Sequence, residues 1–323
     1  MIGGGPAGSA AAATSARDGR SVLLLVGPGP ARSHGIGEGA PPGLDRTVDE
    51  VFGPGTFVPG DHLRSLGNRA AWGSDELIAT DFMFNPFGCG WHLDRVAFDQ
   101  RLLAAAASAG ATVAPATGAP IDSPVVIDAT GRRADHARRH GARRVAGDRL
   151  TAVVALYRDV GGDATTTVEA AVDGWWYTCP VPGGGRVVAF LTDGDLLTPA
   201  LRSTAGFDAR VRTTAHVGRL RAPGHPTAPL VVPAGTAYLD PPVGIGWSAA
   251  GDAAASFDPL SSQGILTAVL MGREAARHVD DPPVYAARYR EIVAGYEGER
   301  RAMYGHEQRW PTAPFWARRH ADG

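Results

Sequence analysis

The stretch best equipped for chemistry runs from Gly251 to Ile265 and reads GDAAASFDPLSSQGI. An acid, Asp252, follows a strand-like segment, and a proline turn then leads into a predicted helix that opens near Ser262. The first turn of a helix presents unpaired backbone N–H groups and the positive end of the helix dipole. Such a helix start, with Ser262 as its predicted cap, suits a ligand that carries or develops negative charge.

A second chemically suggestive segment lies at the beginning of the chain, where Gly3, Gly5 and Gly8 form G-x-G-x-x-G. An alanine-rich helical run follows, and the apolar segment 22–26 is typical of a buried strand. Glycines at these positions allow a tight turn, close approach to a pyrophosphate and close helix packing. The motif alone is weak evidence, but together with the Gly251 segment it predicts a Rossmann-like dinucleotide-binding domain.

Three further segments carry side chains that suit a nucleotide cofactor. Residues 33–42 form a glycine- and proline-rich loop that contains Glu38, residues 90–99 read GWHLDRVAFD, and residues 128–131 read DATG after a short apolar strand. Arg95, in the second of these segments, suits phosphate because its guanidinium presents a planar fork of donors.

These segments together resemble the motifs of the FAD-dependent monooxygenase and halogenase superfamily. The Ser-Ser-Gln-Gly form at 261–264 is most similar to tryptophan-halogenase-like flavoproteins, including maturases that hydroxylate aromatic residues of peptides. The resemblance implies that Asp252 holds the ribityl chain, that Arg95 reaches the phosphates or ribityl chain, and that the 259–264 helix start faces the flavin pyrimidine edge. The implied FAD-binding residues are Gly3, Gly5, Ala7, Gly8, Glu38, Arg95, Gly251, Asp252, Pro259, Ser262, Gln263, Gly264 and Ile265.

The sequence departs from that family pattern in three places. Only Met1 and Ile2 precede Gly3, so either the native start lies upstream of Met1 or the first strand is truncated. Val26 stands where the family has an acid for the adenosine ribose, which puts tight FAD binding in doubt without affecting the fold. The connection 111–124 is short where relatives carry a hairpin meander.

The expected fold is α/β, with a Rossmann-like FAD domain of the p-hydroxybenzoate-hydroxylase type, an antiparallel β-sheet substrate lobe and a C-terminal helix. Strand-like segments at 152–157, 165–171, 175–179 and 186–191 predict the sheet of the substrate lobe. The predicted FAD domain comprises 1–55, 92–148 and 235–282, and the substrate lobe comprises 56–91 and 149–234. Residues 283–323 form the C-terminal helix and tail, which we expect to pack on the core without a chemical role.

Candidates for the substrate pocket are the aromatic residues of the second lobe, Trp72, Phe84, Trp175 and Tyr177. Aromatic side chains mostly pack, so a core position is favoured for Trp72 and Phe84 and stays open for the other two. The catalytic residues are unknown. His92 and Gln263 are weak candidates, and for His92 a buried, hydrogen-bonded role is favoured over proton transfer.

The resemblance implies an FAD-dependent hydroxylase that acts on an aromatic substrate, free or carried by a peptide or carrier, through a flavin C4a-hydroperoxide. Such a reaction would serve specialised metabolism or peptide maturation, with reduction of FAD by NAD(P)H directly or by a separate flavin reductase. Halogenation is disfavoured because flavin halogenases use a lysine, and all 31 basic residues of this sequence are arginine. Alternatives are a flavin-dependent reductase or desaturase, and a cofactor-free cyclase or binding scaffold.

Composition excludes several other classes of function. A net charge of −2 gives no electrostatic case for binding nucleic acid or an anionic membrane. The two cysteines, Cys89 and Cys179, are too few for a disulfide framework, and a cytoplasmic location is expected. His136 and His140 have i, i+4 spacing, but no third ligand is suitably spaced, so no metal site is predicted. The substrate identity and the oligomeric state stay open.

Overall fold

The computed structural model describes residues 1–27, 37–117, 121–158, 163–221, 224 and 226–321. The strands of this part of the chain form one seven-stranded sheet, one two-stranded sheet and three three-stranded sheets, with helices around them. Its helices are α1 (Pro6–Arg17), α2 (Leu44–Phe52), α3 (Arg95–Ser108), α4 (Asp135–Arg139), α5 (Thr204–Val211), α6 (Gly264–Arg277), α7 (Pro282–His306) and α8 (Pro314–Ala321).

The strands are short on the N-terminal side and longer in the middle of the chain. They are β1 (Leu23–Val26), β2 (Gly39–Ala40), β3 (Leu63–Ser65), β4 (Gly67–Ala71), β5 (Ile78–Asp81), β6 (Gly90–His92), β7 (Thr112–Pro115), β8 (Val126–Asp128), β9 (Arg143–Ala146), β10 (Leu150–Tyr157), β11 (Thr166–Ala171), β12 (Gly174–Pro180), β13 (Arg186–Asp193), β14 (Leu230–Pro233), β15 (Ala237–Asp240), β16 (Val243–Gly244), β17 (Trp247–Ala249) and β18 (Ala255–Ser256).

A parallel layer of strands positions the glycine-rich turn. β1 pairs in parallel with β7, β8 pairs in parallel with β17, and Ile2 bridges the two pairs by contacts to Leu25 and Asp128. The Ile2 amide donates to Ile127 O at 3.0 Å, and the Leu25 amide donates to Met1 O at 2.9 Å. The strand that opens the fold is therefore represented by Met1–Gly3 alone. Helix α1 packs between α3 and α6 through alanines that are fully buried.

The second lobe is built on a seven-stranded sheet in the order β14-β10-β13-β12-β11-β4-β5. Its neighbours pair antiparallel except β11 and β4, which are parallel, so the sheet is mixed at that junction. The strand β4 belongs to the earlier segment of the chain and joins the sheet at an edge formed by a later hairpin. One face packs under α5 through Trp176 and Phe190, and the opposite face meets the C-terminal segment. This architecture confirms the predicted fold class.

Helix boundaries differ from the sequence predictions where capping decides them. α3 begins at Arg95, because the Asp94 carboxylate accepts the Ala97 amide at 3.0 Å. Ser262 does not cap α6: it has a left-handed backbone with φ of +55°, and Gln263 occupies the cap position without a side-chain hydrogen bond. Helix α5 is short and ends at Val211.

Candidate functional site

A cleft of about 1760 Å³ lies beside the glycine-rich turn and along the edge of the parallel strands. Its walls come from segments that the sequence analysis identified separately: the first glycine motif, the loop with Glu38, helix α3 and the DATG segment. The lining includes Gly3, Gly4, Gly5, Val26, Glu38, Arg95, Asp99, Gln100, Ala129 and Thr130. A groove of this size and composition suits a dinucleotide in extended form.

The glycines around the cleft allow backbone segments to touch, and we call this set (Gly3, Gly8, Gly251 and Gly272, with Ala7 and Ala129) the glycine junction. A Cβ at Gly3 would lie 2.1 Å from Ala129 O, and one at Gly8 would lie 1.8 Å from Gly3 O. Gly251 and Gly272 face Ala7, with Cβ positions 2.6 Å from Ala7 Cβ and 2.1 Å from Ala7 O, respectively. The two predicted flavin motifs therefore meet through glycine and alanine contacts.

The start of helix α1 is open toward the cleft. Its cap residue Gly5 makes no side-chain cap bond, the first helical residue is Pro6, and a Cβ at Gly5 would meet nothing within 4 Å. The helix has twelve residues, so its first turn offers backbone N–H donors and a positive dipole end. This arrangement fits the pyrophosphate of a dinucleotide.

Arg95 is a cationic side chain that lines the same cleft, and two carboxylates hold it. Its Nη1 lies 2.9 Å from Glu38 Oε1, and its Nη2 lies 3.2 Å from Asp99 Oδ2. Burial lowers the pKa of Arg95, but the attraction of Glu38 and Asp99 outweighs it and raises the pKa above its ordinary value. Burial raises the pKa of Asp99, and the Arg95 charge opposes that rise. The guanidinium is therefore fixed in place before any ligand arrives.

The segment 251–265 contacts α1 at the glycine junction, but none of its residues lines the cleft, and its side chains point in several directions. Asp252 is 45% exposed, and its Oδ2 lies 3.7 Å from Arg132 Nε. Ile265 is in the core, and Gly264 is exposed at the start of α6. The Gln263 amide lies 3.4 Å from Glu299 on α7, outside the cleft. A catalytic role for Gln263 thus has no support from its position.

Three segments far apart in the sequence meet beside this motif. The Tyr177 hydroxyl donates to Gly37 O at 3.0 Å. A Cβ at Gly39 would lie 3.3 Å from the Tyr177 hydroxyl and 3.7 Å from Ser262 Oγ. Burial raises the pKa of the Tyr177 hydroxyl well above its ordinary value, so it is a neutral hydrogen-bond donor here. Of the loop predicted at 33–42, residues 33–36 lie outside the described residues.

The other aromatic residues proposed for a substrate pocket do not form one. Trp175 is fully buried, and Trp72 packs edge-on against Trp175, Tyr304 and Trp316 at 6.3, 5.8 and 5.3 Å. Phe84 is 91% exposed on the segment after β5. The sheet and the C-terminal segment bury Trp72 and Trp175 between them, which alternation along a strand could not reveal. Tyr177 is the member of this set that touches the flavin-motif loop.

His92 is a buried structural residue, as the favoured interpretation of the sequence had it. It is 1% exposed, and its Nε2 lies 3.1 Å from Ala164 O at the start of the sheet lobe. Burial lowers its pKa to about 4, so the imidazole is neutral at pH 7. It does not line the cleft, and a proton-transfer role for it has no geometric support.

Two features of the cleft were missed or only half seen in the sequence. Asp99 was part of a quoted motif, yet its role as a partner of Arg95 follows only from their positions one helical turn apart. Asp128 organises the DATG segment, accepting the Thr130 amide at 2.9 Å and the Ala137 amide at 2.8 Å. Val26 lines the cleft and its side chain faces Gly4, so it offers no acceptor for a ribose hydroxyl.

The described residues hold neither a cluster of metal ligands nor a membrane-spanning helix. No group of three or more metal-ligating side chains is found among those residues. The rings of His136 and His140 stack at 4.1 Å, and the His140 Nδ1 lies 2.8 Å from His136 O. Among the described helices, none is both long and apolar enough to cross a membrane.

Comparisons with known proteins agree with this geometry. No family model matches the chain. LodB of Marinomonas mediterranea, which carries the name of an FAD-dependent oxidoreductase, is 29% identical over 99% of this chain and 96% of its own length. The peptidyl tryptophan dihydroxylase QhpG superposes with a TM-score of 0.80 at 21% identity, covering 98% of this chain and 77% of that one.

A halogenase shares the same architecture. The myxobacterial chondrochloren halogenase CndH, described as a variant of the FAD-dependent halogenases, superposes with a TM-score of 0.84 at 20% identity. The superposition covers 98% of this chain and 84% of that one. Identities of 20% and 21% show that the fold is shared. The sequence match to LodB covers nearly the full length of both chains. The chain therefore has the fold of the peptidyl tryptophan dihydroxylase QhpG and of the FAD-dependent halogenase CndH.

Proposed function

We propose that this chain is an enzyme that binds FAD in the cleft and hydroxylates an aromatic substrate, free or carried on a peptide. The observation that carries the proposal is that the open start of α1 and the fixed guanidinium of Arg95 line one cleft of about 1760 Å³. The name of LodB supports the cofactor, and the activity named for QhpG supports an aromatic residue of a peptide as substrate.

Within this proposal, the chain's own residues bind and orient the cofactor. Gly3, Gly5 and the first turn of α1 would receive the pyrophosphate, with Ala7 and Gly8 keeping that turn close to the sheet. Arg95, fixed by Glu38, would donate to phosphate or ribityl oxygens, and Asp252 would accept from ribityl hydroxyls. When bound, FAD supplies the activation of O₂ that no protein side chain provides.

The segment 259–265 would face the pyrimidine edge of the flavin. The start of α6 at Gly264 is exposed and uncapped by any side chain, so its N–H groups are free to stabilise negative charge on a ligand. The residues assigned to this edge are Pro259, Ser262, Gln263, Gly264 and Ile265, for the last two by backbone contact. Trp72, Phe84 and Trp175 are left out of the proposed pocket, and Tyr177 is kept.

Hydroxylation is preferred to halogenation because the 323 residues contain no lysine. Arginine cannot replace a lysine nucleophile, since its guanidinium remains protonated and delocalised. The proposal also includes a cytoplasmic location and reduction of the flavin by NAD(P)H or a flavin reductase. These parts are inferred from the resemblance and need separate tests.

The deciding experiment is a titration of the purified protein with FAD, followed by O₂ consumption with reduced FAD and aromatic substrates or tryptophan-containing peptides. Saturable binding and product heavier by one or two oxygen atoms, labelled from ¹⁸O₂, support the proposal. Substrate reduction or desaturation without oxygen incorporation would favour the reductase alternative. Absence of FAD binding would overturn the proposal and favour the cofactor-free scaffold.

A further inference from the structure

A chain of buried hydrogen bonds links helix α7 to the turn before α6. The Asp258 carboxylate, 3% exposed, accepts the Tyr304 hydroxyl at 2.6 Å and the Leu260 amide at 2.8 Å. The Tyr304 hydroxyl in turn accepts the indole N–H of Trp175 at 3.1 Å. Helix α7 therefore contacts the segment 251–265 through Asp258.

The backbone of Asp258 is held by the same helix. Its amide donates to the Tyr296 hydroxyl at 2.8 Å, and that hydroxyl lies 2.8 Å from Thr236 Oγ1. Tyr296 and Tyr304 are eight residues apart on α7, so one face of one helix fixes both the main chain and the carboxylate of Asp258. Four phenols of α7, including those of Tyr285 and Tyr289, bond to the segment 249–258 or to strands beside it.

The turn that Asp258 opens contains a strained residue. Ser262 has φ of +55°, and besides Ala134 it is the one non-glycine residue with positive φ in the described ranges. The Ser262 amide donates to Pro259 O at 3.0 Å, which closes the turn that the Asp258 carboxylate begins. A left-handed conformation of this kind persists only when its surroundings determine it. Asp258 and Tyr304 are buried groups that hydrogen-bond at the start of this turn.

The charges around Tyr304 keep it in place. Arg300 and Arg319 lie over its ring at 5.4 and 5.1 Å from the centroid, and they pair with Asp148 at 3.2 Å and Asp193 at 2.8 Å, respectively. Tyr304 is 1% exposed and lies outside the cleft, so it has no contact with a ligand there.

We propose that Tyr304 is a positioning residue that acts through Asp258 to hold the turn 259–262 in the conformation that receives the flavin. Helix α7 thus orders the turn 259–262 in addition to covering the core. This inference rests on the proposed FAD site for its functional consequence, while the ordering of the turn is a property of the FAD-free protein. The two parts can be tested separately.

The test compares Tyr304→Phe with Tyr157→Phe. Tyr157 is also fully buried and also donates to a buried carboxylate, Asp208, at 2.9 Å, but on the far face of the sheet. Both variants keep the ring and lose one hydroxyl, but Tyr304→Phe also leaves the Trp175 indole N–H without its acceptor. Global stability is therefore measured for both variants, and exchange of single amides is compared with it. Amide hydrogen exchange in the FAD-free protein and FAD titration are measured for both.

We expect exchange of the Leu260 and Ser262 amides to become about tenfold faster in Tyr304→Phe and to stay unchanged in Tyr157→Phe. The dissociation constant for FAD should rise about tenfold in Tyr304→Phe alone. Equal exchange of these amides in both variants would overturn the positioning role, whatever FAD does. If the wild-type protein binds no FAD, the proposed function fails, and the exchange result still decides whether Tyr304 orders the turn.

Discussion

Separate segments of the chain are joined in two different ways, by glycines at the glycine junction and by packed aromatic rings near the C-terminus. At the first, four glycines let main-chain atoms approach within distances that no side chain would permit. At the second, which we call the aromatic junction (Trp72, Trp175, Tyr304, Phe315 and Trp316), large rings fill the space between the sheet and the C-terminal helices.

The difference shows how each junction tolerates change. Backbone contacts have no freedom to relax, because the atoms involved belong to helices and strands fixed by their own hydrogen bonds. Packed rings can shift or be replaced by smaller rings, at a cost that depends on how far the cavity collapses. The first junction brings the cofactor motifs together, and the second holds the turn beside them through Tyr304.

The largest effect should follow from adding one methyl group to the glycine junction. In Gly272→Ala the new Cβ would lie 2.1 Å from Ala7 O, so α1 and α6 would have to separate. We expect loss of soluble folded protein, measured by circular dichroism and expression yield. Gly295→Ala is the matched control, because it is also a mid-helix glycine but meets nothing within 4 Å. The control should gain up to about 1 kcal/mol. Normal folding of Gly272→Ala would contradict the conclusion that the glycine junction cannot accommodate a side chain.

The aromatic junction should give the next largest effect. Trp316 is fully buried, contacts several rings and donates to Ala171 O at 2.9 Å. Trp316→Ala should lower the free energy of unfolding by about 3–5 kcal/mol, while Trp316→Phe should lose less because a ring remains. Chemical denaturation measures both. Equal losses in the two variants would show that the indole N–H bond, rather than ring packing, dominates this contact.

Arg95 tests the cleft itself, next to the glycine junction. Arg95→Gln leaves Glu38 and Asp99 without their cation and removes a donor from the cleft, so FAD affinity should fall at least about tenfold. Arg101→Gln is the control on the same helix, since its pair with Asp61 is exposed and should contribute under about 1 kcal/mol. Fluorescence titration with FAD measures both variants. Equal affinities would remove Arg95 from the proposed site.

The smallest effect concerns His92, a polar contact between the cofactor side and the sheet lobe. The folded protein keeps His92 neutral down to a pKa of about 4, whereas the unfolded chain takes up the proton near pH 6.5. Between these values the unfolded state holds more protons, so the free energy of unfolding falls as pH falls, by about 1.4 kcal/mol per unit. Denaturation at pH 7.0 and 5.5 should show a shallower loss in His92→Gln. Parallel losses in both proteins would contradict this assignment.

Much of the cofactor side was predictable from short motifs. The sequence indicated the fold class and several of the segments that line the cleft, because each glycine or arginine there has a local reason for its position. The residue roles assigned to Glu38, Arg95 and Asp252 stay predictions that await FAD binding. The assignment of Trp72, Phe84 and Trp175 to a substrate pocket stays a prediction. The core position favoured for Phe84 was wrong, because its ring is 91% exposed, whereas Trp175 is buried between distant segments.

The amino-acid sequence by itself determined several backbone requirements of this protein: where glycine must stand, and which segments form the strands of the second lobe. These properties depend on neighbours within a few residues, so local spacing carries them. The tertiary structure decided the partnerships of side chains far apart in the chain, such as Tyr304 with Asp258 and Tyr177 with Gly37. Such contacts form only when the lobes pack, because their geometry is set by the positions of whole helices and sheets.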